Sequence, residues 1–346
     1  MGTHPKGESL VVVADGATVP LTDVVGELPF LFKVLAAEHA LSIQVHPTQE
    51  QARVGFARDE AAGIPRTAPE RQYQDTNHKR ELLVPLTEMW ALAGFRPFQE
   101  IQEEMRGLPQ SVTGAFVTDP TAAQWERLLQ KLISLTAEEV RQVVRTVSAT
   151  PQGDSTSPVD RYWWVQELAR QFPDDPGAVA PLYMNCLQLQ PGQGIYLPPG
   201  IVHAYLQGMG VELMANSDNV LRAGCTVKHV DVPELLSVVD IAEEKQRPHI
   251  VVGERLSPML SRWSTPATEF ELSHVTAGGT MGHKFGAVIV LNVGDQVLCN
   301  GTLLFPGASV VITKGAEAHD ASIVISGTGV VDLYVASVPG AVVAES

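Results

Sequence analysis

Short apolar runs broken by glycine and proline dominate the first third of the chain and its last part. The runs Leu10–Val13, Phe30–Leu35 and Leu41–Val45 predict short strands, and Val288–Val293 and Val310–Thr313 repeat this pattern near the end. Short strands with frequent turns favour a β-sandwich or barrel over a doubly wound sheet. The pattern therefore predicts a mainly β protein with two separate β-rich parts.

The middle of the chain, from about 98 to 187, has the spacing of helices instead. Apolar residues recur three or four positions apart within 121–135, and Thr136 with Glu139 forms a capping box ahead of a valine-rich run. A separate short helix is expected over 49–63. The pattern thus predicts a helical segment between the two β-rich parts.

Polar and apolar residues alternate in the segment Ser42-Ile-Gln-Val-His46. Period-two alternation places Ser42, Gln44 and His46 on one face of a strand. Two potential ligands spaced in this way can point at the same ion, although a single strand histidine is more often a hydrogen-bonded core residue. Taken alone, the segment is a weak indication of a metal site.

A second polar cluster, 75–81, leads directly into an apolar strand that begins at Leu82. Lys79 and Glu81 share one face of this strand by parity, while Arg80 points the other way. A carboxylate at the mouth of an apolar strand is costly unless it is paired or bound to a cation. The cluster is either a solvated loop or part of a cation site.

Two later segments add an imidazole and an arginine. The turn before His203 resembles the second conserved motif of cupins, in which the histidine is a metal ligand, except that Gln207 replaces the last asparagine. Glu212, Asp218 and Arg222 then follow within a stretch that otherwise looks buried. Arg222 either forms a structural ion pair with one of these carboxylates or clamps a carboxylate or phosphate of a ligand.

Gln44, His46, Glu81 and His203 together make a mixed nitrogen and oxygen ligand set. Two imidazoles and a carboxylate suit Zn²⁺ with one position left open for water or substrate. Non-haem Fe(II) uses a similar set of two histidines and one carboxylate, so the ligands alone do not decide the metal.

Charge and cysteine content narrow the class of protein. Asp and Glu outnumber Lys and Arg by 39 to 24, and this net charge of −15 disfavours an electrostatic nucleic-acid binder. An anion can bind only where local cations override the global field. Three widely spaced cysteines without a C-x-x-C motif disfavour a disulfide scaffold or zinc finger and fit a reducing cytoplasm. The start of the chain lacks a signal-peptide pattern, and no apolar run is long enough to predict a membrane span.

In its ordered motifs the chain resembles the type I mannose-6-phosphate isomerase family, which are zinc enzymes of the cupin fold. The matching motifs, in the order of the family, are Met1-Gly-Thr-His-Pro, Leu31-Phe-Lys33-Val-Leu, Leu41-Ser-Ile-Gln-Val-His-Pro47, Gly55-Phe-Ala, Ala62-Gly-Ile-Pro, Asp75-x-Asn-His-Lys-x-Glu81, Ala91-Leu-x-Gly-Phe-Arg96, His203-Ala-Tyr-Leu, Ser217-Asp-Asn-Val-x-Arg-Ala-Gly224 and Thr226-x-Lys228. The part of the chain that follows them matches only in its β-rich texture.

The resemblance implies three domains. A cupin, or jelly-roll, catalytic domain is expected from 1–97 plus 184–240, with an inserted α-helical domain over 98–183. A second, C-terminal cupin-like β domain is expected over 241–346. The helical spacing of the middle segment agrees independently with the insertion.

The resemblance also implies roles for individual residues. The implied ligands of one Zn²⁺ per chain are Gln44, His46, Glu81 and His203. Arg222 matches the essential active-site arginine, and Lys33 and Ser42 match positions near the substrate phosphate. The residues implied in proton transfer or sugar contact are Lys79, His78, Glu212 and Asp218. Motif matching leaves open which of these is the base.

The implied reaction is the interconversion of mannose 6-phosphate and fructose 6-phosphate through a cis-enediolate. A base removes a carbon-bound proton while a Lewis acid and a cation hold the developing negative oxygen. The alternatives are an isomerase of another aldose, an Fe(II) cupin oxygenase and a non-catalytic sugar-binding cupin. The expected partner is a small phosphosugar, without nucleic acid or membrane. The sequence does not determine the oligomeric state, and a monomer is compatible with it.

Two departures from the family pattern carry expectations of their own. Arg80 stands where the family motif has proline, and we hypothesise that it supplies an extra anion contact, so that Arg80→Pro changes the Michaelis constant. Family members usually carry some tens of residues before the segment that matches Met1-Gly-Thr-His-Pro, including a strand and a Trp-Gly motif. Either the start of the chain was placed downstream of the true one, or the chain lacks these first strands, and in the second case we expect lower stability and weaker activity.

Overall fold

A computed structural model describes residues 1–113, 122–150, 157–242, 246–313 and 321–344. Within these ranges the chain forms twenty-two strands, all paired antiparallel, and eight α-helices. Among the described residues, no helix combines the length and apolar character that crossing a membrane requires. The mainly β prediction is confirmed.

Strands occupy both ends of the chain, and most helices lie between them. The strands are β1 (Leu10–Val12), β2 (Thr18–Pro20), β3 (Phe30–Ala37), β4 (Ile43–Val45), β5 (Glu81–Pro85), β6 (Met89–Phe95), β7 (Met184–Leu189), β8 (Gln193–Leu197), β9 (His203–Ala215), β10 (Leu221–Gly224), β11 (His249–Val252), β12 (Glu254–Arg255), β13 (Leu260–Trp263), β14 (Glu271–Val275), β15 (Gly279–His283), β16 (Ala287–Asn292), β17 (Val297–Cys299), β18 (Thr302–Leu304), β19 (Ser309–Thr313), β20 (Ala321–Ser326), β21 (Leu333–Ser337) and β22 (Val342–Ala344). The helices are α1 (Leu21–Val25), α2 (Gln49–Ala61), α3 (Phe98–Arg106), α4 (Gln110–Thr113), α5 (Ala122–Ile133), α6 (Ala137–Ser148), α7 (Arg161–Gln171) and α8 (Val232–Val238), with a 3₁₀ helix over Pro176–Leu182.

A curled nine-stranded sheet holds the residues singled out in the sequence, and β9 is its centre. The first part of β9 pairs with β4 and β6, and its second part, from Gly208, pairs with β3 and β5. One strand therefore joins both halves of the sheet, which encloses a small apolar interior containing Leu83, Ala93 and Ile195.

A β-bulge in β9 decides which of its side chains face this interior. Trp90 pairs with Gln207 and the next residue, Ala91, pairs with Tyr205, so one residue of β9 is extra at this point. The bulge reverses the parity of the strand. Odd-numbered residues before the bulge, such as His203, and even-numbered residues after it, such as Glu212, therefore face the same side of the sheet.

The helices of the middle segment pack on the outer face of the curled sheet. Their buried residues share one core with Ile43 and Val45 of β4 and with Leu92 of β6. The predicted capping box is present at the start of α6, where Thr136 and Glu139 cap each other. The helices α3 to α7 lie between β6 and β7, as the predicted insertion requires, and the fold class with a helical insertion is confirmed.

Two further sheets form the C-terminal part of the chain. One has six strands in the order β12-β13-β14-β21-β16-β19, and the other has five in the order β18-β17-β20-β15-β22. Apolar residues between these sheets form one core, and the outer face of the six-stranded sheet forms another with the curled sheet. The curled sheet is thus covered by helices on one side and by the C-terminal sheets on another.

Candidate metal centre and surrounding polar site

Three buried side chains meet inside the curled sheet. The Glu81 carboxylate lies 3.2 Å from the Nε2 atom of His46 and 3.2 Å from that of His203. Their potential ligand atoms all lie within 4.8 Å of one another, and each residue is 1% exposed. These residues come from the ends of β4, β5 and β9, which the sheet brings to one place.

The same three residues pass a direct test of whether a metal ion fits. His46 Nδ1 bonds the carbonyl of Asn219 at 2.8 Å, and His203 Nδ1 bonds that of Ile201 at 3.0 Å. Since a carbonyl only accepts, both Nδ1 atoms donate and both Nε2 lone pairs are turned towards Glu81. His46 Nε2 and Glu81 Oε2 are buried without a hydrogen-bond partner. A cation would satisfy these atoms.

Electrostatics favours the protonation states that a metal ligand needs. Burial and the Lys79 charge lower the pKa of His46 to about 4, although Glu81 opposes this. Burial alone would raise the pKa of Glu81, but Lys79 and the imidazoles hold it well below its usual range. At neutral pH His46 is therefore a neutral imidazole and Glu81 a carboxylate.

Gln44 and Arg222 reach the same site because the sheet aligns them. Gln44 is the cross-strand partner of His203 on one side and of Arg222 on the other. Its Nε2 atom lies 3.4 Å from His203 Nε2. Ser42 directly precedes β4, with the parity of Gln44. The face predicted from alternation thus holds Gln44 and His46 beside His203.

Arg222 is a cation without a matching carboxylate in the described part of the chain. It is partly buried, and burial, with no charged neighbour contributing, lowers its pKa. An arginine nevertheless stays protonated at neutral pH. Its guanidinium is therefore available for an anionic ligand.

A second group of charges lies beside the metal centre. Lys79 Nζ is 2.8 Å from Glu81 Oε1, and Lys33 Nζ is 2.6 Å from Glu212 Oε2. Burial lowers the pKa of Lys79, but the carboxylates, Glu81 first, raise it overall. Lys79 is consequently a buried ammonium, whereas the Lys33 side chain is 45% exposed at the edge of the site.

Asp218 is tied to the start of the chain. Its Oδ2 atom lies 2.9 Å from Lys6 Nζ and 3.3 Å from His4 Nε2, and its side chain is 33% exposed. The backbone N–H of Asp218 donates to Asp75 Oδ2 at 2.8 Å. The segment around Asp218 is therefore fixed by two other parts of the chain.

His78 and Arg80, in the segment just before β5, point away from the Lys79–Glu81 pair, as parity predicts for Arg80. His78 Nε2 is 2.6 Å from Glu269 Oε1, and Arg80 Nη1 is 3.5 Å from Glu269 Oε2. The structure does not bring His78 into the group around Glu81. Glu269 belongs to the C-terminal part, so its contacts with His78 and Arg80 join that part to the curled sheet.

Sequence reasoning missed several residues of this site. Asn219 is fully buried, accepts the backbone N–H of Gln74 at 2.7 Å and offers its own carbonyl to His46. The Tyr205 hydroxyl is buried without a partner, and burial with the Glu212 and Glu81 charges raises its pKa well above the usual range. In the sequence, the only indication that Asn219 or Tyr205 belongs to the site is that each lies inside a family motif.

A buried His-Glu-His set inside a curled antiparallel sheet, beside an unneutralised arginine, defines a metal-binding protein of cupin-like architecture. Residues 1–98 match the family described as phosphomannose isomerase type I, catalytic domain. The mannose-6-phosphate isomerase of Salmonella typhimurium (strain LT2) is 36% identical over 357 residues, which cover 95% of this chain and 88% of that protein. The chain belongs to the type I mannose-6-phosphate isomerase family, as its motifs predict.

Solved structures agree with this assignment. A lysine-to-alanine mutant of phosphomannose isomerase from Salmonella typhimurium is similar with a TM-score of 0.86 and 32% identity, covering 98% of this chain and 90% of that one. A zinc-bound mannose 6-phosphate isomerase is similar with a TM-score of 0.84 and 33% identity, at the same coverage. The similarity extends over the helical and C-terminal parts as well as the curled sheet.

Proposed function

We propose that the chain interconverts mannose 6-phosphate and fructose 6-phosphate at the centre formed by His46, Glu81 and His203. The observation that carries the proposal is this buried ligand set with unsatisfied atoms, in a chain of the mannose-6-phosphate isomerase family. The unneutralised Arg222 beside the centre supports an anionic substrate or intermediate over a purely structural metal site.

One Zn²⁺ per chain would be held by the two Nε2 atoms, the Glu81 carboxylate and the Gln44 side-chain amide. A zinc-bound relative supports zinc over iron, which the ligand types alone leave open. When bound, zinc supplies Lewis-acid polarisation of the sugar oxygens at C1 and C2. The backbone bonds to the two Nδ1 atoms keep both ring nitrogens aimed at the ion.

The remaining cations divide between the two ends of the substrate. Lys33, at the edge of the site, and Ser42 would bind the phosphate. Arg222, the cross-strand partner of Gln44, would stabilise the negative charge that develops on the enediolate. Binding the phosphate far from the reacting carbons positions them against the base.

Proton transfer needs a base that takes the C2 proton of the aldose and returns it to C1. The hydroxyl proton of O2 moves to O1, which makes C2 the carbonyl carbon. The raised pKa of Lys79 makes it an ammonium at neutral pH and favours a carboxylate, Glu212 or Asp218, as the base. Lys79 would then contribute positive charge to the site. His78 would act indirectly, by holding its segment against Glu269 of the C-terminal part.

The predicted domain limits fit this assignment. A catalytic domain of 1–97 plus 184–240 contains every proposed ligand, with 98–183 as the helical domain and 241–346 as the C-terminal domain.

Three free cysteines support a cytoplasmic protein. The net charge of −15 supports the absence of nucleic acid as a partner. A monomer remains compatible with the structure.

A single assay tests this function. The purified chain is offered mannose 6-phosphate and free mannose, before and after chelation and after return of zinc. We expect turnover of the phosphosugar, in the absence of oxygen, that chelation removes and zinc restores. Turnover of free mannose alone would favour another aldose isomerase, and no chelator-sensitive interconversion of either sugar would contradict the proposal.

A further inference from the structure

Asp175, directly before the 3₁₀ helix that ends the helical segment, holds the chain just beyond β10 with its side chain. Its Oδ1 atom accepts from the backbone N–H of Cys225 at 2.8 Å, and its Oδ2 atom accepts from that of Thr226 at 3.1 Å. Oδ1 also accepts from the N–H of Gly177 at 2.7 Å, in the first turn of the 3₁₀ helix. One carboxylate therefore fixes two parts of the chain to each other.

The backbones of these two parts are in direct contact beside Asp175. Gly224 has a φ of 150°, and a Cβ atom there would lie 2.7 Å from the Cα atom of Gly177. A Cβ atom on Gly177 would in turn lie 2.5 Å from the backbone nitrogen of Cys225. Both distances are too short for a Cβ atom, so only glycine permits this approach. The end of β10 is thereby set directly against the 3₁₀ helix.

Cys225 adopts a backbone conformation that needs support. Its φ is 51°, in the left-handed region that residues with a side chain rarely adopt, and the residue is buried. Such a conformation persists where the surrounding contacts over-determine it. The bonds that Asp175 accepts from Cys225 and Thr226 are contacts of this kind.

This fixed point lies three residues after Arg222, across a β-bulge. Arg222 pairs with Gln44, and Gly224 pairs with the adjacent residue of β4. Ala223 is therefore extra at this point. A bulge bends its strand and re-aims the neighbouring side chains, so the direction of Arg222 depends on how the chain is held after the bulge. Asp175 holds it there.

We propose that Asp175 is a positioning residue for the isomerisation, which directs the Arg222 guanidinium at the reaction site by fixing the chain after the bulge. The inference rests on the proposed function of Arg222 in stabilising the enediolate. It gives the helical segment a part in catalysis, although the proposed zinc ligands all lie on or next to strands of the curled sheet. Asp175 lies in none of the motifs that carry the family resemblance.

A purely structural role for Asp175 would have a different signature. If Asp175 only tied the helical segment to the sheet, its loss would lower activity by the same factor with or without Arg222. If Asp175 acts through Arg222, its loss matters only while the guanidinium is present to be misplaced. The coupling between the two substitutions separates these cases.

The test is a double-mutant cycle on the full zinc-loaded chain, with kcat expressed per bound zinc. We expect Asp175→Ala to lower kcat by about 10–10²-fold, the order of effect that misplacing a catalytic group produces, with KM and zinc content unchanged. In the Arg222→Gln background the same substitution should change kcat by less than about twofold. The matched control is Asp174→Asn, which removes the neighbouring carboxylate and its 2.8 Å contact with Arg141 and should leave kcat unchanged.

A milder variant guards against misfolding. Asp175→Asn keeps one oxygen as an acceptor but replaces the other with a donor, which opposes the N–H of Thr226. It should therefore lower kcat by a smaller factor than Asp175→Ala.

A second measurement does not depend on activity. Labelling of Arg222 by phenylglyoxal, followed by peptide mass spectrometry, should be faster in both Asp175 variants than in the wild type, because the guanidinium is no longer held in place. The exposed Arg53 is the internal reference and should label at one rate throughout.

The outcomes distinguish this inference from the proposed function. An inactive wild-type chain would contradict the proposed function, and the labelling of Arg222 would still test the role of Asp175. Equal loss of kcat in the wild-type and Arg222→Gln backgrounds, or an Arg222 labelling rate that neither Asp175 variant changes, would overturn the inference.

Discussion

Arg222 carries a charge that nothing in the described part of the chain neutralises, although it is partly buried. Burying a guanidinium is unfavourable unless an anion completes its environment. The register pairing with Gln44 places that charge beside the metal centre. The substrate or its enediolate is the anion that would complete the site.

Replacing this charge tests its role. Arg222→Gln should lower kcat by about 10²–10³-fold, the usual effect of removing one group that stabilises developing charge. Zinc content should not change, because Arg222 is not a proposed ligand. Steady-state kinetics and metal analysis of the same preparation measure both.

The exposed Arg53 of α2 provides the control. Arg53→Gln removes an equal charge from an exposed side chain outside the proposed site and should leave kcat unchanged. A similar loss of kcat in both variants, or unaltered kcat in Arg222→Gln, would contradict a local role for Arg222.

Glu81 contacts both histidines of the ligand set and the Lys79 ammonium. Glu81→Gln removes the only carboxylate of the ligand set and leaves the Lys79 ammonium without its 2.8 Å partner. Breaking a buried ion pair from one side costs about 3–5 kcal/mol. We expect loss of bound zinc after dialysis and a lower free energy of unfolding in urea. The exposed Glu50→Gln variant should retain both, and a Glu81→Gln protein that keeps its zinc would refute the ligand assignment.

How far the sequence predicts such residues depends on whether the signal is local. Gln44 and His46 are predicted because alternation over five residues places them on one face. Tyr205 and Asn219 are not, because the Glu212 charge near Tyr205 and the bond from the Gln74 N–H to Asn219 exist only in the folded chain.

Helix α6 is the element whose start the sequence specifies most completely. Thr136 and Glu139 cap each other's backbone N–H groups, and Lys131 Nζ lies 2.6 Å from Glu139 Oε1. Thr136→Ala should lower the free energy of unfolding by about 1 kcal/mol, the usual cost of losing such a cap. Urea unfolding measures this, with Thr67→Ala at an exposed turn as the control. Equal losses in both variants would argue against the cap.

The same cap predicts a dependence on pH. The bonds from Lys131 and Thr136 lower the pKa of Glu139 to about 2. A carboxyl with a depressed pKa in the folded state stabilises it above pH 4.5, and this contribution is lost as pH falls towards 2. The stability difference between wild type and Glu139→Gln should therefore narrow over that range, and a constant difference would exclude this linkage.

At the scale of elements, local chemistry predicts more than long-range pairing does. The helix starts, the buried strand after Glu81 and the β-rich ends follow from neighbouring residues. The bulge in β9 does not, because it arises from pairing with β6, more than a hundred residues earlier in the chain. Without the bulge, parity alone would place His203 and Glu212 on opposite faces.

The whole molecule carries a net charge of −15, which opposes an anionic substrate. The structure reduces this difficulty to a local one. Lys33 and Lys79 are paired with Glu212 and Glu81, so Arg222 is the cation at the centre that no carboxylate of the described residues neutralises. Shared cores then fix the curled sheet against its helices and against the C-terminal sheets.

The central claim is that one zinc ion per chain, held by the buried His-Glu-His set, is required for isomerisation. The most direct measurement is a zinc titration of chelated protein, with bound metal and mannose 6-phosphate turnover measured in the same samples. The account predicts that activity rises in proportion to bound zinc and saturates at one equivalent. Full activity without bound metal, or zinc binding at one equivalent without any activity, would contradict it.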